Sequence, residues 1–174
     1  MITFVEAPAK ARRTPGVIPL HGSEGFEGMR KAERLIEITY AGLDAGIAAA
    51  KPGNTTGDIG AAIQAVAEGE RMSVVRDFVG HGLGKLFHDE PNILHFGTPG
   101  TGVPLKPGMI FTIEPMINLG RPHVKILSDG WTAVTRDRTL SAQCEHSIGI
   151  TETGCEIFTL SPAGLFNPMA KRAA

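Results

Sequence analysis

The chain has 174 residues, of which 42% are hydrophobic and 20% charged, a size and balance that indicate one globular domain with a substantial core. Its net charge of -1 argues against a protein that binds nucleic acid through broad electrostatic attraction. No apolar run reaches the roughly 20 residues of a membrane span. The start of the chain lacks a signal-peptide core, and two cysteines make no disulfide framework, so we expect a cytoplasmic protein without a membrane partner.

An arm without a clear period, residues 1–22, precedes the first predicted helix, which covers about residues 26–50. Apolar and semi-apolar side chains recur there in steps of three and four, the spacing of one helical face. That face comprises Ile36, Tyr40, Leu43, Ile47 and Ala50. A second predicted helix starts at Thr55, where Asp58 follows as in a capping box, and ends near Gly69. The two stripes predict a helical hairpin that packs on another layer.

Residues 72–160 are strand-rich. Residues 109–114 form an apolar strand bounded by prolines and glycine, and two antiparallel hairpins follow. Their predicted strands cover residues 123–127 and 131–135, and residues 140–150 and 155–160. Helices beside antiparallel hairpins indicate the α+β class, with helices packed on a mainly antiparallel sheet. The last residues, after about 160, are expected to form a loose tail.

His81 is the first residue with candidate chemistry, because Gly80 and Gly82 flank it and glycine permits a close backbone approach. Such a histidine could face a pocket, with His88 nearby, although a lone histidine is more often a structural residue. Glu114 ends the apolar strand, and a buried carboxylate needs a cation, a metal or dense hydrogen bonds. The alternative for Glu114 is an edge-strand residue that faces water.

Residues 143–146 are the third candidate, since Gln143 and Glu145 share one face of a regular strand and Cys144 and His146 share the other. Cys144 has no activating base in its motif, and we interpret it as a core residue. One histidine and two glutamates on separate strands form an N/O ligand set that suits divalent Mn, Fe, Co or Zn. A metal held in this way can activate water for hydrolysis.

Several motifs in residues 32–162 resemble the C-terminal half of the type I methionine aminopeptidases. The motifs are Val79-Gly80-His81-Gly82-Leu83-Gly84, Phe87-His88-Asp89-Glu90-Pro91, Pro107-Gly108-Met109 to Asn118, Asp129-Gly130-Trp131-Thr132-Ala133-Val134, and Leu140 to Gln143 with Glu145-His146. Their combination is highly specific. The resemblance implies the C-terminal half of a pita-bread fold, whose two pseudo-symmetric halves enclose a dinuclear metal site. It also implies a metallo-aminopeptidase that removes initiator methionine from nascent proteins.

The resemblance also assigns roles by motif match. His81, Glu114 and Glu145 fall on metal ligands, and one of the two glutamates would take a proton from the attacking water. His88 falls on a histidine that binds substrate and stabilises the transition state. Two further positions, Phe87 and Trp131, match residues near the methionine side-chain pocket.

The family's N-terminal half, with two aspartate ligands and another histidine, has no counterpart here. The chain therefore divides into an arm and remnant of the first helix (residues 1–31), the C-terminal half of a catalytic domain (32–162) and a tail (163–174). We interpret the jump in similarity between Ala32 and Glu33 as an internal deletion. Without the aspartates, at most one metal ion is expected, weakly held.

Three functions remain open at this point. The chain is a methionine aminopeptidase-like hydrolase acting on N-terminal Met peptides of nascent chains, a non-catalytic protein-binding module of the same fold, or a catalytically dead remnant. Half of a pseudo-symmetric fold exposes an apolar face, and we expect self-association through it. The balanced charge gives no support for a nucleic-acid partner.

Overall fold

The computed structural model describes residues 20–161, so the predicted tail and most of the predicted arm lie outside the described residues. Within this range two helices, α1 (Ser23–Ala49) and α2 (Thr56–Gly69), pack on antiparallel sheets. The predicted helical hairpin and the α+β class are confirmed. Neither helix in residues 20–161 has the length and apolar character that a membrane span requires.

The buried face of α1 differs from the predicted stripe. Leu43 is fully buried as predicted, but Ile36 is 46% exposed. The buried residues of α1 are Leu35, Ile38, Thr39, Gly42, Leu43 and Gly46. The reason is the glycine at position 46, where a Cβ atom would lie only 2.8 Å from Cδ1 of Ile63 in α2. The spacing of hydrophobic residues does not reveal a glycine that lets two helices approach each other closely. The predicted buried face of α1 is therefore wrong at Ile36.

The start of α2 forms as predicted. Both the backbone N–H and the hydroxyl of Thr55 donate hydrogen bonds to Oδ2 of Asp58, at 2.7 and 2.8 Å. The other oxygen of Asp58 accepts a hydrogen bond from the N–H of Gly100 at 3.0 Å. The Asp58 carboxylate therefore caps α2 and also binds the loop that contains Gly100.

Ten strands follow the helices within residues 20–161. They are β1 (Ser73–Val74), β2 (Gly80–Gly82), β3 (Asp89–Ile93), β4 (Ile110–Ile113), β5 (Met116–Asn118), β6 (Val124–Ile126), β7 (Ala133–Thr135), β8 (Ser141–Gln143), β9 (His146–Ile150) and β10 (Cys155–Ile157). One sheet has the order β10-β9-β4-β2-β3 and a second has the order β1-β5-β8. Strands β6 and β7 form the predicted hairpin around Gly130, whose φ of 71° suits a tight turn. The core joins the helices to Phe111, Ile113 and Ile148 of the larger sheet.

One strand predicted as continuous, residues 140–150, is broken into β8 and β9, which belong to different sheets. The segment of the chain that pairs with it is interrupted at the same level, between β4 and β5. Ile113 is opposite His146 and Met116 is opposite Gln143, so residues 114–115 and 144–145 face each other unpaired. Pro115 has no N–H to give to a ladder, which favours the interruption there. The predicted alternation of faces across residues 143–146 is therefore wrong, because no regular strand continues through them.

The choice of buried face on α1 can be tested by truncating Leu43. We expect Leu43→Ala to lower the free energy of unfolding by about 2–5 kcal/mol, because it leaves a cavity in the core. Ile36→Ala is the matched control and should change that free energy by no more than about 0.5 kcal/mol, as surface changes usually do. Urea unfolding followed by circular dichroism measures both. Equal losses would mean that α1 buries the predicted stripe after all.

Candidate metal centre

His81 lies in the middle of β2, in a position that only its two glycine neighbours permit. A Cβ atom on Gly80 would collide with the carbonyl oxygen of Thr112, and one on Gly82 would collide with that of Glu90. The predicted close backbone approach is confirmed. Strand β2 is thereby held between β3 and β4, and the His81 side chain is buried.

The ring of His81 is oriented by a backbone carbonyl. Its Nδ1 lies 3.0 Å from the carbonyl oxygen of Gly82, and because a carbonyl only accepts, Nδ1 carries the proton of the neutral ring. Nε2 therefore presents a lone pair, and it lies 3.8 Å from Oε1 of Glu114. A histidine fixed through its far nitrogen in this way is typical of metal ligands in proteins.

Glu114 follows the last residue of β4, and its side chain is 15% exposed, so it is not the water-facing edge residue of the alternative interpretation. The hydroxyl of Thr112 donates to its Oε1 at 2.7 Å, and the side-chain amide of Gln143 donates to its Oε2 at 3.1 Å. Burial raises the pKa of this carboxyl, and the negative charge of Glu145 adds to the rise. The Thr112 hydrogen bond opposes the rise, as do the neighbouring side chains of His81 and His88.

A second histidine, His95, accepts a hydrogen bond from the backbone of Glu114. The backbone N–H of Glu114 donates to Nε2 of His95 at 3.0 Å. His95 is 1% exposed, and burial lowers its pKa to about 4, so that its ring is neutral at ordinary pH. The sequence analysis missed His95, because no motif or spacing connects it with Glu114.

Three of the other predicted site residues, Glu145, His88 and Phe87, lie near this pair, and Trp131 is not brought to it. Glu145 is exposed and acts on Glu114 through its charge. His88 is exposed as well, and its ring stands edge-on to that of His81, with centroids 4.5 Å apart. Phe87 is 78% exposed and stacks near both rings, whereas Trp131 is 89% exposed and touches neither histidine ring in the described residues.

The described residues give an N/O pair rather than a finished metal site. Within residues 20–161, no three His, Cys, Asp or Glu side chains are close enough together to hold an ion. Nε2 of His81 and the Glu114 carboxylate nevertheless match the donors that divalent transition metals take in proteins, and Glu145 adds negative charge beside them. The donor set fits the implied metal, and its coordination is incomplete.

Cys144 does not join this pair. It is half-buried against the core, and burial raises the pKa of its thiol, which disfavours the thiolate that a nucleophile requires. This placement agrees with its interpretation as a core residue. Asp129 and Asp137 bind backbone N–H groups in turns instead of facing the site.

Comparison with known proteins defines the class. Residues 22–152 match the model of metallopeptidase family M24, and the chain belongs to that family. Its fold is the C-terminal half of the pita-bread fold of these enzymes. The family implies a divalent metal cofactor.

Among its relatives are the methionine aminopeptidases. The enzyme of Rickettsia prowazekii is 56% identical over 140 residues, which cover 79% of this chain and 54% of that protein. The enzyme of Escherichia coli K12 is 52% identical over 128 residues, or 74% of this chain and 48% of that protein. The crystal structure of the Rickettsia prowazekii enzyme has a TM-score of 0.74, with 55% identity over 75% of this chain and 53% of that one. The chain thus spans about half the length of the curated relatives that it matches.

The hydrogen bond from Thr112 is expected to set the charge state of Glu114. Thr112→Val removes the donor that favours the ionised carboxylate, so the pKa of Glu114 should rise further. A carbon-13 NMR titration of the Glu114 carboxyl in the metal-free protein measures it.

Thr39→Val is the matched control, since Thr39 is equally buried and its hydroxyl bonds the carbonyl of Leu35 in α1. Thr39→Val should leave the pKa of the Glu114 carboxyl unchanged. A Glu114 carboxyl that titrates identically in both variants would show that Thr112 does not stabilise its charge.

Proposed function

We propose that this chain carries the C-terminal half of a methionine aminopeptidase site and hydrolyses the bond that follows an N-terminal methionine. The observation that supports it most directly is the pair formed by Nε2 of His81 and the carboxylate of Glu114, 3.8 Å apart and each fixed by hydrogen bonds. The relatives named as methionine aminopeptidases share this half of the molecule at 52–58% identity.

The proposed ligands are His81, Glu114 and Glu145. A divalent metal bound by them would supply a water molecule activated for attack on the peptide carbonyl. One of the two glutamates, Glu114 or Glu145, would accept the proton that this water gives up, and burial, which raises the pKa of Glu114, makes its carboxylate more basic than an ordinary glutamate. His88, exposed at the mouth beside His81, would donate a hydrogen bond to the developing oxyanion.

The substrate class is an N-terminal Met peptide of a nascent chain, with Phe87 and Trp131 contributing to the methionine pocket. We place the reaction in the cytoplasm, in agreement with the two unpaired thiols at Cys144 and Cys155. Any of Co, Mn, Fe or Zn suits the N/O donor set.

The domain division stays a proposal. Residues 32–162 would form the catalytic half, 1–31 an arm with a remnant of the first helix, and 163–174 a tail. Helix α1 runs without interruption through the proposed junction at Ala32 and Glu33. The family match begins earlier, at residue 22. Sequencing of the genomic locus decides whether an absent half is encoded between these two residues.

A catalytically dead remnant is the second candidate. Two observations favour it: the described residues bring no third ligand to His81 and Glu114, and the apolar side chains of Phe87 and Trp131 stand open to solvent. No observation specifically supports a non-catalytic binding module.

Release of free methionine distinguishes the two candidates. The purified chain with added Mn²⁺ is expected to release methionine from a Met-Ala-Ser peptide. Glu145→Gln should reduce this release by at least about 100-fold, the upper end of the loss seen when even an outer partner of a metal ligand is changed.

Glu152→Gln serves as the control, because it neutralises an equally exposed glutamate away from the site. Its release should equal that of the unaltered chain. A folded chain that releases no methionine with any of the four metals would contradict the proposed activity and support the dead remnant.

Self-association also stays a prediction. Phe26 and Met29 are exposed on the N-terminal half of α1, a helical turn apart. We expect light scattering to show a concentration-dependent mass above that of the monomer, and Phe26→Ser with Met29→Ser to lower it. A monodisperse monomer at every concentration would contradict this.

A further inference from the structure

We infer that His95 is a positioning residue of the metal centre, which acts by holding the backbone of Glu114. The inference deepens the proposed function and rests on its metal centre. His95 is a buried histidine whose one side-chain hydrogen bond in the described residues goes to the backbone of a proposed ligand.

Glu114 needs this partner because the sheet does not supply one. Hydrogen bonds alternate along β4: the carbonyl of Met109 accepts from Ile150 on the β9 side, and that of Ile110 accepts from Leu83 on the β2 side. The N–H of Glu114, four residues after Ile110, therefore faces the β2 side. There the register of Gly82 with Phe111 sets Val79 opposite Glu114, and Val79 lies before the start of β2. The N–H of Glu114 would thus be a donor without a ladder acceptor. His95 accepts it at 3.0 Å. The ring thus takes over the role of the missing strand partner at the residue where the carboxylate must be aimed.

The same bond fixes the form of the ring. A backbone N–H only donates, so Nε2 of His95 must be unprotonated and the neutral ring carries its proton on Nδ1. Nδ1 is buried and has no hydrogen-bond partner among residues 20–161. An apolar side chain would fill the same space without leaving a donor unpaired. Packing alone does not account for a histidine here, whereas the need for an acceptor at Nε2 does.

Helix α2 places His95. A Cβ atom on Gly60 would lie 2.8 Å from the carbonyl oxygen of Leu94 and would also collide with the carbonyl of Phe96. The backbone on both sides of His95 is therefore pressed against α2. The N–H of Gly97 also donates a hydrogen bond to the side-chain oxygen of Gln64 in α2, at 3.1 Å. A rigid path leads from α2 through His95 to Glu114, where the carboxylate meets Thr112 and Gln143.

Two substitutions of His95 distinguish the loss of its hydrogen-bond acceptor from the loss of its ring volume. His95→Gln keeps an acceptor at a similar reach, and His95→Leu keeps the volume without an acceptor. Hydrogen exchange of the Glu114 amide in the metal-free protein should be about tenfold faster in His95→Leu and little changed in His95→Gln. The dissociation constant for Mn²⁺, from electron paramagnetic resonance of the free ion, should rise about tenfold or more in His95→Leu only.

Ile63→Val is the control for loss of stability, since Ile63 is a fully buried residue of α2 that packs against α1. It should change neither readout. If His95→Leu does not fold, nitrogen-15 NMR of the unaltered protein replaces it, and the ring of His95 should be protonated at Nδ1 and bare at Nε2.

Three results would overturn the inference: Glu114 exchange that is the same in His95→Leu, equal losses of Mn²⁺ affinity in the Leu and Gln variants, or a ring protonated at Nε2. A failure of the proposed function looks different. In that case the unaltered chain binds no Mn²⁺. Hydrogen exchange of the Glu114 amide alone then decides whether His95 holds the backbone of Glu114.

Discussion

The rest of the site depends on the carboxylate of Glu114. It is enclosed at the point where two neighbouring segments of the chain stop pairing as strands. Burying a carboxylate without a counter-charge is costly, and the hydroxyl of Thr112 and the side-chain amide of Gln143 offset part of that cost by donating hydrogen bonds to it. Nε2 of His81 lies 3.8 Å from the carboxylate, and in the neutral ring, whose proton is on Nδ1, it presents a lone pair. A divalent cation is the group that would satisfy both side chains at once.

In the described residues Phe87, beside His81, and Trp131 are exposed aromatic side chains, and the N-terminal half of α1 exposes further apolar groups. Such surfaces usually lie against another part of a protein. The proposed ligands His81 and Glu114 are held in place within this chain, by strands β2 and β4 and, through His95, by helix α2.

The sequence was sufficient to predict the helical hairpin, the capping box of α2 and the β6–β7 turn, because each depends on residues close together in the chain. It also identified His81 and Glu114, because glycines around a histidine and a carboxylate in an apolar strand are local signals. It misplaced the buried face of α1, since Gly46 contributes by having no side chain. It missed His95, and it treated residues 140–150 as one strand, because both depend on partners far away in sequence. The resemblance to methionine aminopeptidases named the ligands but could not show which of them this half brings together.

We propose that His81 and Glu114 together bind a divalent cation in this chain. A crystal of the protein soaked in Mn²⁺, with anomalous diffraction data, tests it directly. The account predicts one anomalous peak between Nε2 of His81 and the carboxylate of Glu114, and none there in Glu114→Gln. No peak at that position in the unaltered protein, or a peak that persists in Glu114→Gln, would contradict it.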